Sequence, residues 1–219
     1  MYNILLYIVF FIGVLPLSIQ LIKTRKLWDN NPITAFVWLT ALATCYEFFG
    51  TFLLRIDSKY WFQLYPLLSF TIVYFFFYKS LPSRYYKVMK ISFILFFVVY
   101  CISFFYIEPD KLVASSINRL YISIFIFTFS VIWFKEIFGK VSKSLLSGNI
   151  DILYLWNSDK FYFVAGIFIY YATTFFLFLS SHLIFGSDMY AYDFWIVNLI
   201  ATLLLRVFLI ISVWKMKKV

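Results

Sequence analysis

Charge is scarce in this chain. Of 219 residues only 13% are Asp, Glu, Lys or Arg, while 64% are hydrophobic; a soluble domain carries about a quarter charged and half apolar. Glycine (6) and proline (5) are also few, which excludes collagen-like and low-complexity disordered chains. Two cysteines cannot build a disulfide scaffold, and one histidine cannot build a His-based zinc centre. What fills the space is aromatic: 30 Phe, 18 Tyr and 7 Trp. With a mean hydropathy of +0.90, the composition is that of a polytopic membrane protein with little mass outside the bilayer.

A span needs about 20 mostly apolar residues. Seven runs meet or approach this: 2–22, 33–54, 61–78, 91–107, 113–134, 161–185 and 191–214. The first lacks the basic start and small-residue cleavage site of a signal peptide, so it counts as a helix of the bundle. Lys59 and Tyr60 extend the third run, and Lys87 to Lys90 extend the fourth. The fold class expected is therefore all-α, one seven-helix transmembrane domain over residues 1–219.

The net charge of +9 does not point to nucleic acid, because the basic residues sort by side. Alternating seven spans puts 14 of the 19 Lys and Arg on one side and 4 on the other, with Arg206 inside the seventh span. Basic residues gather in cytosolic loops. The N-terminus is thus expected outside and the C-terminus in the cytosol, in a bacterial cytoplasmic membrane. Trp28, Trp61, Trp156, Trp195 and Trp214 fall near span ends, as interfacial Trp do. The Phe and Tyr excess reads as lipid-facing side chains, and Cys45 and Cys101 as buried small hydrophobes.

The longest connection, residues 135–160, opens on an amphipathic stretch. Ile137, Phe138, Val141, Leu145 and Leu146 share one helical face, apart from Lys135, Lys140 and Lys143. The favoured reading is a helix lying in the cytosolic headgroup layer. The alternative is a docking site for a cytosolic or membrane partner.

Ionisable groups inside the bilayer are costly and mark sites. At about 1.5 Å per residue, Glu47 and Arg119 lie roughly 21 and 22 Å above the cytosolic ends of their helices. Asn198, Thr173 and Thr174 lie at similar depth. Together these five residues would line a polar chamber in the outer half of the bundle. A Glu47–Arg119 ion pair that only ties two helices is the bland reading of the same placement, as is snorkelling of Arg119 to the outer interface. Arg206, about 12 Å deep, reads as snorkelling to the inner headgroups. His182 reads as an interfacial polar residue.

Catalysis finds no footing. There is no HExxH, no G-x-S-x-G, no P-loop and no aspartate pair suited to Mg²⁺-pyrophosphate. The seventh span holds no lysine for a retinal Schiff base. No enzyme activity, cofactor or metal is expected.

Four segments, LPLSIQLIKTRK, CYEFFG, SSINRLYISIFIF and FYFVAGIFIYYATTFFLF, resemble those of a group of small, uncharacterised seven-helix bacterial integral membrane proteins. That resemblance supports the topology and the choice of Glu47 and Arg119, and implies no activity. LPLSIQLIKTRK with Asn31–Pro32 is also reminiscent of PQ-loop and SWEET transporters, seven-helix proteins built as three-helix repeats around a linking helix. Here Pro16 is followed by Leu17 where that family has Gln, and the fifth span has no proline. The leading expectation is a sensor or receptor-like module that binds a small or lipidic ligand, or a partner, in the chamber. The runner-up is a small-solute transporter of 3+1+3 architecture.

The charge asymmetry makes a direct prediction. A single cysteine placed at residue 147 should resist membrane-impermeant thiol reagents in intact cells, and one placed within 186–190 should react. Labelling of position 147 from outside would refute the orientation.

Overall fold

The computed structural model describes residues 2–24, 30–56, 59–106, 111–146, 157–179 and 188–216. Among these there is no strand. Seven helices follow in order: α1 (Tyr2–Thr24), α2 (Pro32–Cys45), α3 (Lys59–Ser80), α4 (Tyr86–Tyr106), α5 (Lys111–Leu146), α6 (Asp159–Leu179) and α7 (Asp188–Lys215). Among the described residues five stretches are long and apolar enough to cross a bilayer: Pro32–Gly50, Ser83–Tyr106, Ile117–Ser142, Asp159–Leu177 and Ile196–Lys215. The chain is a multi-pass membrane protein. Helices suit this setting because each satisfies its own backbone polar groups.

The helix ends are written locally. Asn31 caps α2, its side chain accepting from the Ile33 N–H at 3.1 Å, and Pro32 follows at the first helical position. Beyond Cys45 the same helix widens into a π-helix, Tyr46–Leu53. It closes on wide hydrogen bonds, Leu54 N–H to Phe49 C=O at 3.0 Å and Ile56 N–H to Gly50 C=O at 2.9 Å. Arg55 then ends it with a φ of 53°, a left-handed conformation that is uncommon outside glycine.

The principal contacts run α1–α2, α2–α3, α3–α5, α5–α6, α6–α7 and α7–α1. Six helices therefore close a ring. The fourth, α4, packs outside it against α3 and α5. Its buried residues Met89, Phe96 and Ser103 repeat every seventh position, a single stripe. Ile91, Ile94, Val98, Ile102 and Phe105 on its other side are exposed, as lipid-facing side chains are.

One end of the ring collects cations, as the charge pattern requires. Lys23 Nζ donates to the Val213 carbonyl at 3.4 Å and to that of Trp214, at the C-terminus of α7. Lys79 Nζ donates to the Asn30 carbonyl at 3.1 Å, and Lys215 Nζ to Asn157 Oδ1 at 3.0 Å. Arg84 bridges to Glu136, and the Tyr85 hydroxyl donates to the same carboxylate at 3.1 Å. Positive side chains at helix C-termini complement the exposed carbonyls there.

Three expectations are corrected. The aromatics are not mainly lipid-facing: Phe36, Phe70, Phe76, Phe77, Phe96 and Phe163 are among the largest fully buried side chains. They stack across helices, Phe70 on Phe96 at 3.9 Å and Phe76 on Phe163 at 4.7 Å between ring centres. In a bilayer, helices associate through close packing more than through water expulsion, and flat rings interlock well. Cys101 is exposed on the outer face of α4, and Cys45 is half-buried. The amphipathic stretch is no separate surface helix, because α5 runs unbroken for 36 residues. Ile137 packs against the core, Phe138 is exposed and Val141 is half-buried. The Leu145 and Leu146 side chains lie outside those described, as do residues 147–156.

The α6–α7 contact turns on Gly166, where an added Cβ would come within 2.7 Å of the Phe208 Cβ. Gly166→Val should therefore lower stability by about 1–3 kcal/mol through overpacking. A thermal melt of the purified protein checks this, and an unchanged melting temperature would contradict it.

Candidate functional site

The helix α7 carries a polar stripe at one-turn spacing, Asn198, Thr202 and Arg206. Residues four apart share a face, and this face turns inward. Arg206 is only 5% exposed, so it does not snorkel to the inner headgroups. Its Nη1 donates to the Val9 carbonyl of α1, and its Nη2 donates to Thr44 Oγ1 of α2 at 2.8 Å. Thr44 in turn donates to the Thr40 carbonyl at 2.7 Å. Space for the guanidinium comes from Gly13: a Cβ there would lie 2.5 Å from Arg206 Nη1 and 2.6 Å from the Thr44 side chain.

One turn beyond Thr44 stands Glu47, in the π-helical turn. The positive field at its carboxylate comes first from Arg206 and then from Arg119. The expected partners are thus brought into one neighbourhood, but without a direct bridge. Among the described residues the direct ion pair is Arg84–Glu136. Arg206, read from the sequence as unrelated, is the nearer influence.

Three tyrosines complete the neighbourhood. Tyr65 of α3 interacts electrostatically with Glu47, Arg119, Tyr170 and Tyr171. Tyr170 of α6 lies close to Thr202 and feels Arg119, Glu47 and Arg206. Tyr171 lies close to Ser69. Thr202 donates to the Asn198 carbonyl at 2.8 Å, which joins Tyr170 to Asn198. The Asn198 Oδ1 is buried and has no hydrogen-bond partner among the described residues.

Of the two threonines, Thr174 is buried and donates to the Tyr170 carbonyl at 2.8 Å. Thr173 lies instead on the outward face with Phe176, both exposed. It is removed from the chamber, since neighbours on a helix point about 100° apart.

Glu47 is surrounded by groups from α3, α5, α6 and α7, yet its side chain is exposed. Arg119, Tyr65, Tyr170 and Asn198 also keep part of their surface. Toward the lysine-rich end the ring is solid: Phe36, Phe76, Phe77, Phe163 and Leu209 are buried to within 2%. The polar and tyrosine side chains thus gather toward one end of the ring and the packed apolar ones toward the other.

The side chains gathered here offer charge and hydrogen-bonding groups. Among the described residues no three His, Cys, Asp or Glu gather to hold a metal ion. His182 lies outside the described residues. Comparison with known protein families, curated proteins and solved structures finds no match to this chain.

Sequence reasoning missed Tyr65, Tyr170 and Tyr171, which nothing distinguishes among 18 tyrosines. It missed the direction of Arg206, although the Asn198–Thr202–Arg206 spacing carried it.

The Arg206 anchor yields a prediction. Thr44→Val removes the acceptor of a buried, charged donor at nearly constant volume. It should cost about 1–3 kcal/mol, read as a lowered melting temperature in detergent, whereas Thr173→Val should change little. Equal effects of the two substitutions would contradict the inward placement of Arg206.

Proposed function

We propose that this protein is a non-enzymatic membrane module of sensor or receptor-like type, which binds a small ligand at the polar cluster of Glu47, Arg119, Arg206, Tyr65, Tyr170 and Asn198. The observation that carries this reading is the contrast between the two halves of the ring. Charged and tyrosine side chains stay accessible in one half, while packed Phe and Leu fill the other. A bilayer interior imposes a large cost on buried charge, so a cluster of three ionisable side chains from three helices argues for use. With the basic residues cytosolic, the cluster faces outward, toward an extracellular ligand. The cytosolic end of α5, tied by the Arg84–Glu136 bridge to the turn that precedes α4, gives a bound state a route to the cytosolic side.

The small-solute transporter is the second reading. Its support is the shared neighbour order of the triplets α1–α2–α3 and α5–α6–α7, with α4 outside the ring. Parallel repeats around a central site are one plan for alternating access.

The two readings part on flux. Compounds that raise the melting temperature of the purified protein should be tested for uptake into proteoliposomes. The receptor-like reading expects stabilisation that is lost in Arg119→Gln and no uptake above protein-free vesicles. Saturable uptake abolished by the same substitution would overturn it in favour of transport.

A further inference from the structure

We infer that the outer face of α4 binds one anionic phospholipid of the cytosolic leaflet, an acyl chain laid in a groove along the helix and the phosphate held by Lys87 and Lys90. This goes beyond the proposed function and uses none of its residues. The groove is lined by Phe93, Ile94, Phe97, Val98, Cys101 and Ile102 and has a volume of about 480 Å³. Ligand pockets measure about 300–1,000 Å³. From Phe93 to Ile102 it runs about 14 Å along the helix, at 1.5 Å per residue. That is close to half of a hydrocarbon core about 30 Å thick, the depth that one leaflet's chains occupy. One wall is fixed from behind: Phe93 packs on Tyr74 of α3 with ring centres 4.4 Å apart, and Phe97 packs on Phe93 at 4.9 Å. A chain that binds a preformed surface loses less to ordering.

Azimuth and charge name the occupant. At 3.6 residues per turn, Lys87 and Lys90 fall within about 30° of the middle of the groove face, opposite the buried stripe of Met89, Phe96 and Ser103. Both lysines are exposed. Among the described residues neither forms an ion pair, whereas Arg84 and Glu136 pair with each other. The two lysines stand at the basic end of the bundle, the cytosolic one by the charge asymmetry. An apolar groove headed by two cations matches a lipid with its chain in the hydrocarbon and its negative headgroup at the interface. A second copy of the chain fits this face poorly. Two copies share one orientation in the membrane, so a symmetric contact through α4 would set the lysines of one against those of the other, and like charges repel.

The test is native mass spectrometry of the full chain, released from detergent micelles that hold equal amounts of phosphatidylglycerol and phosphatidylcholine with the same acyl chains. Phosphatidylglycerol adducts should exceed phosphatidylcholine adducts by at least about fivefold, the factor that one lysine near an anionic surface supplies. Lys87→Gln combined with Lys90→Gln should abolish the preference. Lys135→Gln combined with Lys140→Gln removes the same charge from exposed positions of α5 and should leave it intact. Val98→Trp fills the groove from its exposed side and should remove the retained phosphatidylglycerol. Lipid-free melting temperatures of the variants should match that of the unaltered chain, since each change lies on the surface. Equal retention of the two lipids by the unaltered chain would overturn the proposal. An equal loss of preference in both lysine pairs would assign it to the diffuse charge of the cytosolic end, and a preference that survives Val98→Trp would assign it to headgroups alone; either overturns the groove. A dimer mass that Val98→Trp removes would give the face to a second copy and overturn the lipid.

Discussion

Everything in the ring depends on where the Arg206 guanidinium goes. A permanent charge on an interior helix face has to find oxygen or leave the hydrocarbon. Here it finds a backbone carbonyl on α1 and a hydroxyl on α2. Those two contacts join the last helix to the first two and so close the ring. They also dictate small neighbours: a side chain at Gly13 would occupy the guanidinium's place, and Thr44 is short enough to accept without crowding.

The polar half of the bundle follows from that closure. With α7 turned to face α1 and α2, Asn198 and Thr202 are carried inward on the same stripe, and Thr202 meets Tyr170. Glu47 then lies above Arg206, in the one stretch of α2 where the helix is wide. π-Helical turns are rare and occur often at functional sites. The wide turn and the Glu47 carboxylate coincide. On the other half, aromatic stacking among α2, α3, α4, α5 and α6 leaves no room at all. One bundle thus holds a packed half and an accessible half without any change of fold class.

Much of this was legible beforehand in particular residues. The apolar run opening at Ile33 placed α2, and the Lys-rich stretches marked one end of the bundle. Helix existence followed from apolar runs because the bilayer makes length and hydrophobicity the dominant constraints. Azimuth did not follow, because a helix that meets lipid on one side and protein on the other is apolar on both. Depth alone brought Glu47, Arg119, Asn198 and Thr174 to one level, but it also admitted Thr173, which faces outward. The same weakness hid the buried phenylalanines, since Phe70 and Phe75 look alike in sequence and only one is interior. The continuity of α5 was hidden for another reason. The apolar run ends near Phe134, but nothing from Lys135 to Lys140 breaks a helix except Gly139, which costs about 1 kcal/mol relative to Ala in an exposed turn.

That continuity gives α5 mechanical reach. Its 36 residues measure about 54 Å at 1.5 Å each, whereas the hydrocarbon core is about 30 Å thick. The rod is therefore longer than the layer that holds it. A rod so mounted is a lever: a tilt of about 10° within the bilayer swings an arm of about 24 Å through roughly 4 Å at its tip. Arg119 sits on the held portion of that rod and the Arg84–Glu136 strut grips it near the fulcrum. Small rearrangements around Arg119 would thus be magnified by leverage alone at the far end of the same helix.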